Sequence, residues 1–239
     1  MRRFLFWSLC FCLLFPVGLS SCDGSDSAAV IFGGTTGKLT WTLTEDGVLT
    51  ITGEGPMPDY RDGGTSETPP WYPHVNRISS LTIGEGVTRI GDYAFMLCSF
   101  VTKVVIPESV TSMGDWAFNG CTGLQEAYIG DGVTEIAAKA FAECTALKTV
   151  VIGKSIQRIG DQAFNTRSSW DQMTLEKITV LFDDIASGSF PVLESGSRGV
   201  FPKPGGWDLV SYKIYVPKGT KAEYQKNWSD YSSLIVEMQ

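Results

Sequence analysis

Apolar side chains return at a constant interval through the middle of this chain. The most regular marker is an Ala-Phe pair, and its phenylalanines, Phe95, Phe118, Phe141 and Phe164, define a 23-residue period. Five further apolar columns keep the same step without an insertion, and they begin at Ile83, Val87, Ile90, Cys98 and Val101. A period in the twenties predicts a solenoid, in which each coil buries its apolar edges only against the coils beside it.

Within each coil the pattern predicts a short strand, a turn and a short helical segment. Val104 and Ile106 flank one outward residue, which is the alternation of a strand with one buried face. A Gly-Asp pair precedes Ala-Phe in three coils, at Asp92, Asp115 and Asp161. We expect each aspartate to cap a helical turn of its own coil, because a carboxylate there accepts hydrogen bonds from nearby backbone N–H groups.

A β-hairpin precedes the repeats. Residues 38–44 and 48–52 each alternate apolar and polar side chains, and residues 45–47 supply the turn between them. A solenoid exposes an apolar end unless a cap covers it. We therefore predict an N-terminal β cap over residues 37–77 and a solenoid over residues 78–239.

The period breaks after Phe164. Counted from Val150, the period places the equivalent strand residue at Met173, but the strand-like segment has it at Ile178. Residues 165–173 therefore carry an insertion of five residues. Irregular sequence follows, and residues 213–217 are then typical of a last strand, with a closing helical turn after it. We predict one elongated domain with about six parallel strands, whose C-terminal coils are irregular and end in a closing cap.

Residues 1–21 are typical of an export signal. Arg2 and Arg3 precede an apolar run too short to span a bilayer comfortably, and Leu-Ser-Ser-Cys ends it at Cys22. This ending resembles a bacterial lipobox, whose cysteine becomes the acylated first residue of the mature protein. The alternatives are an ordinary cleaved signal with an incidental cysteine, or a buried apolar helix. We predict a lipoprotein signal peptide over 1–21, lipidation at Cys22 and a flexible tether over 22–36.

The residues after Cys22 bear on where the protein is held. Residues 23–27 resemble the acidic stretch that marks lipoproteins for surface export in Bacteroidetes-type bacteria. In enterobacteria, an aspartate in the second place would instead indicate retention at the inner membrane. The prediction is an exported protein, lipid-anchored to a bacterial outer membrane and displayed at the cell surface.

Charge and chemistry exclude several classes of function. The formal net charge is -7, which argues against a nucleic acid partner because such a partner requires a basic footprint. Cys98, Cys121 and Cys144 share one column of the stack, so we expect buried free thiols rather than a redox or metal site. The sequence has one histidine, His74, and lacks Gly-x-Ser-x-Gly, Cys-x-x-Cys and phosphate-binding loop motifs. We predict that the protein is not an enzyme and uses no cofactor or metal.

A family resemblance follows from the repeat itself. Residues 83–98 carry the pattern Ile-Gly-x-Gly-Val-Thr-x-Ile-Gly-Asp-x-Ala-Phe-x-x-Cys, and later coils repeat parts of it from Ile106 and Ile129. This pattern resembles leucine-rich repeat family 5, the BspA-like family of bacterial surface and exported proteins. The resemblance implies an α/β solenoid, a right-handed stack of 23-residue coils with a parallel sheet. It also implies a non-catalytic surface protein, and some members are adhesins for host matrix proteins or other bacteria.

The outward residues of the predicted strands form the first candidate site, which consists of Lys103, Val105, Glu126, Tyr128 and Val151. A parallel sheet normally has both faces covered, so an open face with apolar residues indicates a contact patch. Plain β-propensity is the alternative explanation for these residues. If these residues form a contact patch, we predict that the chain is a protein-binding or adhesion module for a protein or glycan ligand on a host or neighbouring cell.

Aromatic residues outside the regular repeats form the second candidate site, namely Tyr60, Trp71, Tyr72, Trp170 and Trp207. Exposed aromatic rings can stack on sugar rings, whereas buried ones would be structural pegs of the cap. If they are exposed, the alternative function is that of a carbohydrate-capture lipoprotein in a nutrient-uptake system.

Overall fold

The computed structural model describes residues 28–61, 67–166, 174–184, 190–194, 199–202 and 212–239. The predicted signal peptide, the lipidation site Cys22, and the aromatic residues Trp170 and Trp207 lie outside the described residues. Within these ranges, every helix falls short of the length and apolarity that a bilayer crossing requires.

The first side of the solenoid is a parallel sheet of six strands in the order β7-β9-β11-β13-β15-β16. Its strands are β7 Lys103–Ile106, β9 Glu126–Ile129, β11 Thr149–Ile152, β13 Lys177–Val180, β15 Lys213–Val216 and β16 Ile235–Glu237. The register is the one that the 23-residue period predicts, with Val104 opposite Ala127 and Ala127 opposite Val150. The predicted solenoid fold is therefore confirmed.

The second side of the solenoid is another parallel sheet of six strands, in the order β14-β12-β10-β8-β6-β4. Its strands are β4 Gly55–Pro56, β6 Val87–Ile90, β8 Ser112–Met113, β10 Glu135–Ile136, β12 Arg158–Ile159 and β14 Val192–Leu193. Most of these strands have two residues, which is too short to show an alternating pattern. The apolar residues of β6, β8, β10 and β12 point into the coil, as the sequence predicts, whereas a second sheet was not predicted.

The third side of each coil differs from the prediction, because the Ala-Phe segment is a series of turns rather than a helical turn. Its backbone N–H groups donate to the next coil: Phe95 N–H donates to Ala117 O at 2.8 Å and Phe118 N–H to Ala140 O at 2.7 Å. Three of these coils have two non-adjacent left-handed positions and the fourth has one, which a helical turn does not allow. These left-handed residues are Tyr93, Leu97, Trp116, Gly120, Lys139, Glu143 and Gln162.

Asp92 and Asp115 bond to the next coil, so the prediction that each aspartate caps a helical turn of its own coil was wrong for these two. Asp92 Oδ1 accepts from the N–H of Asp115 at 3.0 Å, and Asp115 Oδ1 accepts from the N–H of Ala138 at 2.8 Å. Asp59 of the cap begins the ladder by accepting from the N–H of Asp92 at 3.0 Å. A Cβ on Gly114 would collide with Asp92 Oδ1, which explains the glycine before the aspartate.

A column of aromatic rings forms the centre of the core. Successive ring centroids lie between 5.1 and 5.6 Å apart, and all five contacts are stacked. The stack consists of Trp71, Phe95, Phe118, Phe141, Phe164 and Phe201. The cap therefore joins the core through Trp71, and the irregular C-terminal part joins it through Phe201.

The cysteine column lies beside this stack. Cys98, Cys121 and Cys144 are free and buried, as the sequence predicted. The thiol of Cys121 donates to the carbonyl of Phe95 at 3.2 Å. Burial raises the pKa of the Cys98 and Cys121 thiols well above its ordinary value, so they remain protonated members of the core.

The N-terminal cap is a three-stranded antiparallel unit of β1 Val30–Thr36, β2 Leu39–Thr44 and β3 Val48–Gly53, and β3 pairs in parallel with β5 Ser80–Ile83. The predicted hairpin is present as β2 and β3. The predicted tether over residues 22–36 extends too far, because residues 30–36 form a strand. Phe32 anchors this strand by stacking on His74 at 3.8 Å between ring centroids.

The C-terminal end is closed by helix α1 Lys221–Asn227, a 3-10 helix Ser229–Leu234 and β16. The other 3-10 helix of the described residues, Tyr72–Arg77, belongs to the N-terminal region and precedes β5. Three buried aromatic side chains of the C-terminal cap donate to backbone carbonyls of the irregular coils. Tyr224 donates to Phe182 O at 2.9 Å, Trp228 to Pro191 O at 3.0 Å and Tyr231 to Phe201 O at 3.0 Å. The predicted last strand and closing helical turn are confirmed, whereas β16 was not predicted.

Candidate functional site

The outward face of the first sheet carries all five residues of the first candidate site. Lys103, Glu126 and Thr149 are opposite one another on β7, β9 and β11, and Val105, Tyr128 and Val151 are opposite one another two residues later. The inward residues of the same strands are buried in the core. We call the outward surface of β7, β9, β11, β13 and β15 the sheet face.

The part of the sheet face on β7 and β9 is a small network around Tyr128. The Lys103 ammonium lies 3.6 Å from Glu126 Oε2 and 4.6 Å from the centroid of the Tyr128 ring. The Tyr128 hydroxyl donates to Glu126 Oε2 at 3.2 Å. Lys103 and Glu126 therefore form an ion pair across neighbouring strands, and Val105 beside it is 54% exposed.

The part of the sheet face on β13 and β15 was missed by the sequence analysis. Lys177 and Lys213 continue the first column, and Tyr215 continues the second column opposite Thr179. The Lys177 ammonium lies 5.0 Å from the centroid of the Tyr215 ring. The apolar pattern around Ile178 was the available signal, but the insertion after Phe164 removed these residues from the 23-residue register.

The described aromatics of the second candidate site are mainly structural. Trp71 is fully buried and its indole N–H donates to Ala94 O at 2.8 Å. The Tyr60 hydroxyl is 2.5 Å from Thr36 Oγ1, and burial raises its pKa to about 12. Tyr72 is half-buried. Trp71 and Tyr60 are therefore structural residues of the cap, and of the three described aromatics only Tyr72 is partly exposed.

A pocket of about 780 Å³ lies where the N-terminal cap meets the first coil. Its lining includes the hydroxyls of Thr35 and Thr36, the carboxylates of Asp59 and Asp92, and the ring of Tyr93. Burial raises the pKa of Asp92, and the negative charge of the neighbouring Asp59 raises it further. The pocket thus combines hydroxyl, carboxylate and aromatic groups.

A groove of about 500 Å³ runs along the second sheet and the adjoining turns. Each of its two arginines pairs with two carboxylates: Arg89 with Asp59 and Asp92 at 2.8 and 3.0 Å, and Arg158 with Glu135 and Glu194 at 3.1 and 2.5 Å. Both arginine charges are thus compensated within the chain, and the four carboxylates exceed the two arginines by two negative charges. Over the described part of the chain, no three His, Cys, Asp or Glu side chains converge on a position where they could hold a metal ion.

The repeats have a recognised family. Residues 72–190 match the BspA type leucine-rich repeat region in six copies. The chain belongs to the BspA-type leucine-rich repeat family. Leucine-rich repeat proteins are in general non-catalytic scaffolds that bind protein partners, and BspA-like members are associated with bacterial surfaces.

Several crystal structures resemble this BspA-type chain. A leucine-rich repeat protein from Eubacterium ventriosum is 28% identical, with a TM-score of 0.60, and the match covers 81% of this chain and 46% of that one. The pneumococcal vaccine antigen PcpA is 19% identical, with a TM-score of 0.47 and coverage of 68% and 36%. A leucine rich cell surface protein from Faecalibacterium prausnitzii is 21% identical, with a TM-score of 0.39 and coverage of 81% and 72%.

This chain therefore spans about half the length of the Eubacterium ventriosum protein. A comparison with curated proteins finds no match.

Proposed function

We propose that the chain is a protein-binding or adhesion module that engages its ligand through the sheet face. The observation that carries the proposal is the open face itself. Parallel sheets usually have both faces covered, yet here Val105 is 54% exposed and Tyr128 and Val151 are half-buried beside it. The binding of protein partners that is typical of leucine-rich repeat proteins supports the same assignment.

The test is a pair of changes on the sheet face. The double variant Val105→Asp, Tyr128→Ala should weaken binding to an immobilised ligand recovered from a panel of host matrix proteins and glycans. The change places a charge on the apolar column and removes the ring that organises Lys103 and Glu126. Retained binding in this variant would remove the sheet face from the proposal.

The matched control is Val192→Asp on the second sheet. Val192 is 59% exposed, close to the 54% of Val105, so the two substitutions add the same charge at similarly exposed positions of the two sheets. Binding should survive Val192→Asp. Equal loss of binding in both variants would point to a general effect of the added charge.

The proposal includes display on the outer surface of a bacterium through a lipid at Cys22. The lipobox-like sequence and the surface association of the family support it. Protease treatment of intact cells should remove the protein, and Cys22→Ser should abolish incorporation of labelled palmitate. Survival of the protein on intact cells would place it in the periplasm instead.

Carbohydrate capture is a second candidate, and the pocket beside the N-terminal cap favours it. Hydroxyls, carboxylates and the Tyr93 ring are the groups that commonly bind sugars. The Tyr93 ring stacks on Trp116, with centroids 6.0 Å apart, so tryptophan emission should respond to a ligand in the pocket. Emission unchanged by a panel of polysaccharides would count against this function.

A further inference from the structure

The sheet face has the opposite charge to the chain as a whole. Its outward charged residues are Lys103, Glu126, Lys177 and Lys213, which are three lysines and one glutamate with a net charge of +2. The formal net charge of the whole chain is -7. A positive surface on an acidic protein is a local feature that composition does not explain.

The positive charge is concentrated at one end of the sheet face. Lys103 is neutralised by Glu126 at 3.6 Å, but Lys177 and Lys213 face one another in register on neighbouring strands. Both lysines are exposed, and no carboxylate in the described part of the chain forms an ion pair with either. Two positive charges therefore lie on neighbouring strands without a carboxylate partner in the described part of the chain, and an anionic ligand would supply one.

Apolar and aromatic side chains lie next to these lysines. Tyr215 lies beneath the Lys177 ammonium, and its column continues through the buried Thr179, then Val151 and Tyr128, to the exposed Val105. A ligand needs carboxylates to pair with the lysines. It also needs apolar or aromatic side chains to pack on the neighbouring column. A polypeptide can present both kinds of group at short intervals.

We infer that the partner of the sheet face is an acidic polypeptide segment, whose carboxylates lie against Lys177 and Lys213 and whose apolar side chains lie on the Tyr128 to Val151 column. This inference rests on the proposed function, since it specifies the chemistry of the ligand of the same surface. Complementary charge on such a face sets specificity and association rate more than affinity.

The experiment uses the full chain and a fluorescein-labelled peptide that repeats Glu-Tyr-Glu-Ser three times. Matched peptides carry Gln or Lys in place of Glu. Fluorescence anisotropy should rise for the acidic peptide and not for the Lys peptide. The advantage over the Gln peptide should shrink between about 50 and about 300 mM NaCl, because exposed charges are screened. Equal binding of the acidic and Gln peptides at low salt would overturn the inference.

Lysine variants locate the interaction. Lys177→Gln, Lys213→Gln should weaken acidic-peptide binding by about 3- to 30-fold, as expected for the loss of two exposed ion pairs. Lys218→Gln, Lys221→Gln makes the same change in charge outside the sheet face and should have no effect. Lys177→Arg, Lys213→Arg should keep binding and shows that the site tolerates substitution. Unchanged binding in the Gln variant would overturn the inference.

Comparison with the Val105→Asp, Tyr128→Ala variant separates this inference from the proposed function. A ligand that is lost in that variant but kept in Lys177→Gln, Lys213→Gln leaves the sheet face as the site and refutes the acidic partner. A ligand kept in both refutes the site as well. Binding of hyaluronate or of phosphatidylglycerol vesicles, but not of the acidic peptide, would assign the lysines to an anionic polysaccharide or membrane instead.

Discussion

The stacked phenylalanines show how a single residue per coil supports this solenoid. Each ring is buried and contacts the ring of the coil before and the coil after, so that its burial depends on both neighbours. Fully burying such a side chain contributes about 1.5–3 kcal/mol. A gap in the column would therefore remove contacts from three coils at once.

Phe118→Ala should destabilise the chain by about 3–5 kcal/mol, because the substitution leaves a cavity between two rigid rings. Phe118 lies 5.1 Å from both Phe95 and Phe141 between ring centroids, so neither neighbour can fill the space without leaving its own stack. Urea unfolding followed by circular dichroism measures the loss. Phe100, which is 58% exposed, provides the control, and Phe100→Ala should change stability by less than about 1 kcal/mol. Coincident melts of wild type and Phe118→Ala would contradict the stacked core.

At the scale of elements, the sequence was sufficient to predict those elements that have a periodic pattern and a conventional backbone. β7, β9 and β11 follow from one alternation repeated once per coil, and the hairpin of β2 and β3 follows from alternation around a Gly-containing turn. The second sheet could not be predicted in the same way, because five of its six strands have two residues, and two residues cannot show a period. Its strands are defined by hydrogen bonds between coils, which no single coil encodes.

The prediction of helical turns at the Ala-Phe segments was wrong for a different physical reason. Left-handed backbone is expected at glycine, yet Tyr93, Trp116, Lys139 and Gln162 adopt it. Their strain is compensated by hydrogen bonds to the next coil, such as that from the N–H of Lys139 to Asp161 O at 2.9 Å. Only the second left-handed column contains a direct signal, since Gly120 occupies it in one coil. The sheet face was predicted only where the period held, and its lysines on β13 and β15 were missed.

Glu143→Gly should stabilise the chain by about 0.5–1 kcal/mol, because glycine removes the strain of a left-handed residue that bears a side chain, which outweighs its extra freedom in the unfolded chain. Glu143 has a φ of 59° and an exposed side chain, and the equivalent Gly120 has a φ of 69°. The urea midpoint should rise. Glu108→Gly is the control, because Glu108 is exposed without a left-handed backbone, and its midpoint should fall. A fall in both variants would refute the strain argument.

At the scale of the whole molecule, two caps of different construction close one continuous core. The N-terminal cap contributes Trp71 and Tyr60 to the core, and the C-terminal cap contributes Tyr224, Trp228 and Tyr231. Tyrosine is suited to this position because its ring extends the core while its hydroxyl forms a buried hydrogen bond with a neighbouring oxygen. The same choice makes both caps sensitive to alkaline pH, whereas the phenylalanines between them do not titrate.

Alkaline pH should therefore destabilise the chain through its caps. Burial raises the pKa of Tyr60 and Tyr231 to about 12 and raises that of Tyr224 further, so the folded chain holds these protons to a higher pH than the unfolded chain. Their contribution to stability is complete below the ordinary tyrosine pKa of about 10 and is lost as the pH rises towards about 12. Urea midpoints measured across that interval should fall steadily, and tyrosinate absorbance should rise with unfolding. Tyr60→Phe removes one titrating group, so its midpoint, normalised to its own value at neutral pH, should fall less steeply. A wild-type midpoint that stays constant up to pH 12, or a Tyr60→Phe slope equal to that of wild type, would contradict the link between buried cap tyrosines and stability.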